Sequence, residues 1–156
     1  MPTKRLESSK KIVMGKGNDG FTIGIPFKQS KTKIWKGLTR AKHINQYFCQ
    51  GAKGDFTPEL THPIWAWKKW GSIELHHTKY EKEKLIEFHW EGYKVKYHIT
   101  VRFEIVRENN KTMVRISERG WKKQDLKHAF GECEGWTVFL CYLKFYLKYG
   151  KDPRKI

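Results

Sequence analysis

The chain has 156 residues and a mass of 18.7 kDa, with 38% hydrophobic and 15% aromatic side chains. That length suits one domain with a substantial core. So many aromatics exclude a disordered chain, because their burial offsets the entropy lost on ordering. The formal net charge of +16 is spread along the chain without a run of like charge, which argues against a sequence-specific nucleic-acid footprint. No apolar stretch approaches the roughly 18 residues of a membrane-spanning helix.

Residues 1–20 are polar and basic, end in GKGNDG, and read as a flexible N-terminal arm ahead of a single domain over 21–156. FTIGIPF follows, with Phe21, Ile23, Ile25 and Phe27 alternating, which predicts a half-buried strand. SKTKIWKGLT predicts a short helix capped by Ser30, and a second short helix is expected from about Ala41 to Phe48. Residues Cys49 to Pro63 read as a long loop.

From residue 64 the periodicity becomes that of strands. IWAWKKWGSIELHHT reads as two strands around a turn, and KLIEFHW puts Ile86, Phe88 and Trp90 on one face. Tyr93 to Ile105 alternates throughout: Tyr93, Val95, Tyr97, Ile99, Val101, Phe103 and Ile105 face one way, with His98 among the polar set. Glu108 to Lys111 is a hairpin turn into TMVRISE, where Val114 and Ile116 continue the buried side. A polar stretch then leads to a closing helix through GWTVFLCYLKFYLKYG, stopped by Gly150 and Pro153. Its inner stripe is Trp136, Phe139, Leu140, Leu143 and Leu147, and its flank carries Val138, Cys141, Phe145 and Tyr149. Strands grouped between terminal helices indicate an α+β fold, with one antiparallel sheet covered by the last helix.

KIWKGLTRAKHINQYF at 33–48, WGSIELHHTKYEKEKLIEFHW at 70–90 and GWTVFLCYLKFYLKYGKDPR at 135–154 together resemble a known family. It is the family of the activator of the Hsp90 ATPase (Aha1-like), within the START-like, or SRPBCC, helix-grip superfamily. The resemblance departs at Thr61-His62-Pro63 and at residues 79–84. It implies a curved antiparallel sheet of about six strands gripping a long C-terminal helix, two short helices after the first strand, and an apolar cavity between sheet and helix.

The chemistry-bearing residues form no catalytic motif, so no catalytic residue is assigned. His43, His62, His76, His77, His89, His98 and His128 show no HxxxH or HxH spacing, and no metal or cofactor is expected. His89 and His98 suit cross-strand neighbours on the solvent face. Cys49, Cys133 and Cys141 form no CxxC. An odd count without a signal-peptide pattern at the N-terminus predicts reduced thiols and a cytoplasmic location. Cys141, in an apolar helix, reads as core. GKGNDG lacks the strand and helix of a phosphate loop.

The leading expectation is a non-enzymatic domain that binds a hydrophobic small molecule, lipid or polyketide-like. The candidate cavity lining is Trp67, Phe88, Trp90, Tyr97, Ile99, Phe103, Trp136, Phe139, Leu140 and Leu143. The plainer reading is that these side chains fill the core. The alternative is a partner-protein or polyanion module, including a homodimer, using Lys94, Lys96, Arg102, Arg107, Arg115 and Arg119.

Overall fold

A computed structural model describes residues 11–155; residues 1–10 of the expected arm lie outside the described residues. In chain order come β1 (Asp19–Phe27), α1 (Lys31–Thr39), α2 (Ala41–Tyr47), β2 (Ile64–Trp67), β3 (Gly71–Glu74), β4 (His76–Glu81), β5 (Leu85–Glu91), β6 (His98–Glu108), β7 (Lys111–Trp121) and α3 (Leu126–Tyr149). Five strands pair antiparallel in the order β1-β7-β6-β5-β4, while β2 and β3 form a separate two-stranded ribbon. The fold is therefore α+β, with the long helix packed on one face of the main sheet.

Period-two alternation decides which face is buried. Along β6, Ile99, Val101, Phe103 and Ile105 point inward, and along β7 Thr112, Val114, Ile116 and Glu118 do. The hairpin between them turns on Asn109 and Asn110, both with positive φ, as the twist of a tight two-residue hairpin requires. On α3, Trp136, Phe139, Leu140, Leu143 and Leu147 are all buried, as the helical spacing predicts. Gly150 ends the helix at φ 65°.

Three elements differ from the sequence reading. The expected six-stranded sheet is seven strands in two sheets, because the chain bends at Leu75. That side chain is fully buried, and its N–H bonds to Pro63 O at 2.9 Å instead of extending the ladder. The strand expected from Tyr93 begins only at His98. Gly92 N–H closes a loop onto Tyr97 O at 3.0 Å, Lys94 takes φ 59°, and Tyr93 is exposed. Alternation alone does not distinguish a strand from a loop that happens to alternate. Finally, α3 starts at Leu126, well before Gly135, and its flank is open: Val138, Cys141 and Tyr149 are exposed. Cys141 is thus a surface thiol, not core.

Within residues 11–20, His98 N–H bonds to Val13 O at 2.6 Å and Gly15 N–H to His98 O at 2.8 Å. GKGNDG owes its glycines to this packing. A Cβ at Gly17 would lie 1.9 Å from Trp121 O, and one at Gly15 2.2 Å from Gly120 O. Gly37 does similar work on α1, where a Cβ would meet Leu143 Cδ1 at 2.8 Å.

Because Leu140 is fully buried under the sheet, its truncation removes apolar contacts and leaves a void. Leu140→Ala should cost toward the upper part of about 2–5 kcal/mol in urea denaturation, with an unchanged m-value.

Candidate functional site

The space between α3 and the sheet is filled by rings. Trp136 of α3 stacks on Trp90 of β5 with centroids 5.0 Å apart, and meets Phe103 of β6 and Phe139 at 5.3 Å each. Phe88 sits 5.7 Å from Trp90 and 5.5 Å from Phe103. Of the ten expected lining residues, the structure brings together Phe88, Trp90, Phe103, Trp136 and Phe139 as one aromatic cluster. Ile99, Leu140 and Leu143 are fully buried in the same core.

Trp67 reaches the cluster indirectly, through Phe48 at 5.5 Å and Trp65 at 6.4 Å, and donates its indole N–H to Phe48 O. Tyr97 lies at the sheet's end, where its hydroxyl bonds Asp125 and its ring meets Trp121. Two open hollows of about 430 and 370 Å³ lie on the surface. Neither is lined by any of the ten residues.

Inside the aromatic wall stands a polar pair that the sequence reading overlooked. Glu118 of β7 is fully buried. Its Oε1 accepts the indole N–H of Trp121 at 2.8 Å, and its Oε2 that of Trp136 at 2.6 Å. Glu132 of α3 faces the Glu118 carboxyl and lies near the Tyr93 backbone N–H. Its Oε2 is out of water without a sound hydrogen bond, and so is Trp90 Nε1, which faces the same carboxyl.

Burial pushes both carboxyls well above the usual carboxylate range, Glu132 further because the Glu118 charge adds to it. The pair therefore holds a shared proton near neutrality. It offers one O–H donor and carboxylate acceptors in a place where such groups are strong. The signal was present: extending the T-x-V-x-I alternation of β7 by one step puts Glu118 inside. Glu132 is one helical turn before Trp136, on the same face.

The outward face of the sheet is internally matched. Arg102 pairs with Glu87 at 2.8 Å, Arg115 with Glu108, and Arg119 bonds Phe21 O and Thr22, while Arg107, on the inner side at the hairpin end, bonds Thr112. Four of the six expected basic contacts are thus engaged within the fold. His89 lies opposite Thr100 and His98 opposite Glu91, so the two histidines are diagonal neighbours, and His98 is buried. Among the described residues, His62, Glu74 and His76 bring potential metal-ligating atoms together.

A family model described as "Activator of Hsp90 ATPase homolog 1-like protein" matches residues 28–148. The chain belongs to that family. No curated protein matches it. Among solved structures it is similar to protein SSP2350 from Staphylococcus saprophyticus, with a TM-score of 0.72 at 16% identity, covering 86% of this chain and 95% of that one. The Aha1 dimer from Colwellia psychrerythraea gives 0.67 at 22% identity, covering 85% and 98%. DynU16, a putative protein in the dynemicin biosynthetic locus, gives 0.73 at 15% identity, covering 86% and 49%. These likenesses establish the fold of an Aha1-like domain and leave its function to the site.

The carboxyl pair of this Aha1-like domain makes its stability depend on pH. Unfolded carboxyls ionise near 4.5, whereas Glu118 is pushed up to about 7 and Glu132 higher. Raised folded values mean that the pair's contribution is complete below about pH 4.5 and is lost as pH rises through them. Glu132→Gln should flatten the fall in melting temperature between about pH 5 and 8. An equal slope in the variant would assign that fall to other groups.

Proposed function

We propose that the chain is a non-enzymatic binding domain for an apolar small molecule, lipid or polyketide-like, bearing a hydroxyl or carbonyl group. It holds that molecule between the sheet and the first half of α3. One observation carries the reading. An acceptor, Glu132 Oε2, and a donor, Trp90 Nε1, face each other out of water beside an aromatic wall without a well-formed hydrogen bond. Buried polar atoms are normally paired, and an unpaired one costs about 1–3 kcal/mol. A ligand hydroxyl or carbonyl would satisfy them, while Phe88, Phe103, Trp136 and Phe139 would cover its apolar part.

The rings are in contact without a ligand, so entry requires the first turns of α3 to shift. Those turns contain Gly131 and Gly135. An added Cβ would find only Tyr93, at 3.9 Å, at the first and nothing within 4 Å at the second. Neither glycine is demanded by close packing, and each weakens the helix by about 1 kcal/mol relative to alanine. A small-molecule role also accords with DynU16, whose gene lies in the dynemicin biosynthetic locus. The three unpaired cysteines suit a reducing cytoplasm.

The exposed flank of α3, with Phe130, Val138 and Tyr149, favours a second reading, contact with a partner protein or another copy of the chain. The Colwellia psychrerythraea relative is described as a dimer.

Titration with fatty acids, sterols and flavonoids should identify molecules that raise the melting temperature and change the emission of Trp90 and Trp136. A hundredfold excess over the dissociation constant stabilises by about 2.7 kcal/mol. Glu132→Leu should weaken hydroxylated ligands selectively. If the whole panel leaves melting and emission unchanged, the core is packing alone and the partner reading takes its place.

A further inference from the structure

We infer that His62, Glu74 and His76 form a binding site for a late first-row divalent cation, Zn²⁺ in the first instance. Their ligand atoms all lie within 4.8 Å of one another. His62 Nδ1 and Glu74 Oε1 are already 3.2 Å apart. Bonds of 2.0–2.2 Å in a tetrahedral site set ligand atoms about 3.4 Å apart. One edge of the tetrahedron thus exists, and the others need to close by roughly 1.4 Å at most. The His62 side chain, 44% exposed, and the Glu74 side chain, 21% exposed, have room for that rotation.

The backbone presents the three groups from segments fixed to one another. Glu74 ends β3 and His76 begins β4, so the two project to one side of the bend while Leu75 between them is buried in the core. Leu75 N–H holds Pro63 O at 2.9 Å, which sets the position of His62 next to it. The His62 and His76 rings lie 5.0 Å apart. Two more imidazoles stand behind: the His98 ring is 5.5 Å from that of His76, and His89 is the cross-strand partner of His76. Four of the chain's seven histidines therefore share one patch beside a carboxylate.

Two imidazoles and one carboxylate suit Zn²⁺, Co²⁺ or Ni²⁺ and disfavour Mg²⁺ and Ca²⁺, which take all-oxygen sites. Three protein ligands leave a fourth position for water on the solvent side. The bound ion would tie the β2–β3 ribbon to the start of the main sheet, which share no ladder. Sequence spacing gave no sign of it, because the ligands come from a loop and two separate strands.

Chelator-stripped protein titrated with ZnCl₂ against a chromophoric competitor should bind one ion per chain. Co²⁺ should give the visible absorption of a four- or five-coordinate site. His62→Ala, at an exposed position that leaves the fold intact, and Glu74→Gln should each weaken zinc at least about tenfold, while His128→Ala should not. Zinc should raise the melting temperature of the parent protein and of the His128 variant only. Unchanged affinity in both His62→Ala and Glu74→Gln, or no stoichiometric binding, would overturn the assignment.

Discussion

Glu118 accepting the indole N–H groups of Trp121 and Trp136 is the contact on which the interior is organised. A carboxyl at an inward position of a central strand is expensive to bury, and it is tolerated here because both oxygens are bonded. The two indoles come from different elements, the end of β7 and the middle of α3, so the carboxyl fixes the helix in register over the sheet. Trp136 then stacks on Trp90, and Phe103 and Phe139 close around them. Bringing α3 down to that register also brings Glu132 against Glu118. The second carboxyl is a consequence of the first, and the shared proton a consequence of both.

The ends of the sheet are closed by other means. Tyr97 receives the Lys122 backbone N–H and donates to Asp125, holding the turn that leads into α3. Residues 13–17 lie along the end of β7 and the start of β6, where glycines allow main chain to touch main chain. At the other end Lys33 Nζ reaches Leu147 O and Lys144 Nζ reaches Pro26 O, so that long basic side chains tie α3 to α1 and β1. The charge excess thus serves the fold in part, and the sheet's outer face is largely neutralised by its own carboxylates.

What was legible in the sequence follows from how far each signal depends on local geometry. The inner faces of β6 and α3, the Asn109-Asn110 turn, the Ser30 cap and the Gly150 stop each express a local rule, and each is found in the structure. The start of α3 was illegible, because residues 126–135 carry two glycines and few apolar residues, and they are helical through Ala129 and Glu132 meeting the sheet. Tyr93 alternates with its neighbours yet belongs to a loop, for alternation records side-chain type and not backbone extension. Five of the expected cavity residues do converge. Glu118 and Glu132 carry no local signature as a pair, because they meet across 14 residues and two elements.

The two halves of α3 are held very differently, and this bears on where the domain can open. The second half has Leu143 and Leu147 against Gly37, the His43–Tyr146 hydrogen bond at 2.7 Å and the two lysine ties. The turns before Trp136 have only Ala129 and the carboxyl pair to hold them, with Gly131 and, beside Trp136, Gly135, which no neighbour requires. Local opening follows the weaker contacts. It would therefore separate Glu132 from Glu118 first, exposing the Trp90 N–H and the aromatic wall together. Opening admits water to the buried carboxyls and relieves their repulsion, the two causes that keep a proton on the pair, so opening favours ionisation and ionisation favours opening. Ligand entry and proton release are then two readouts of one movement, placed at the buried carboxyl pair.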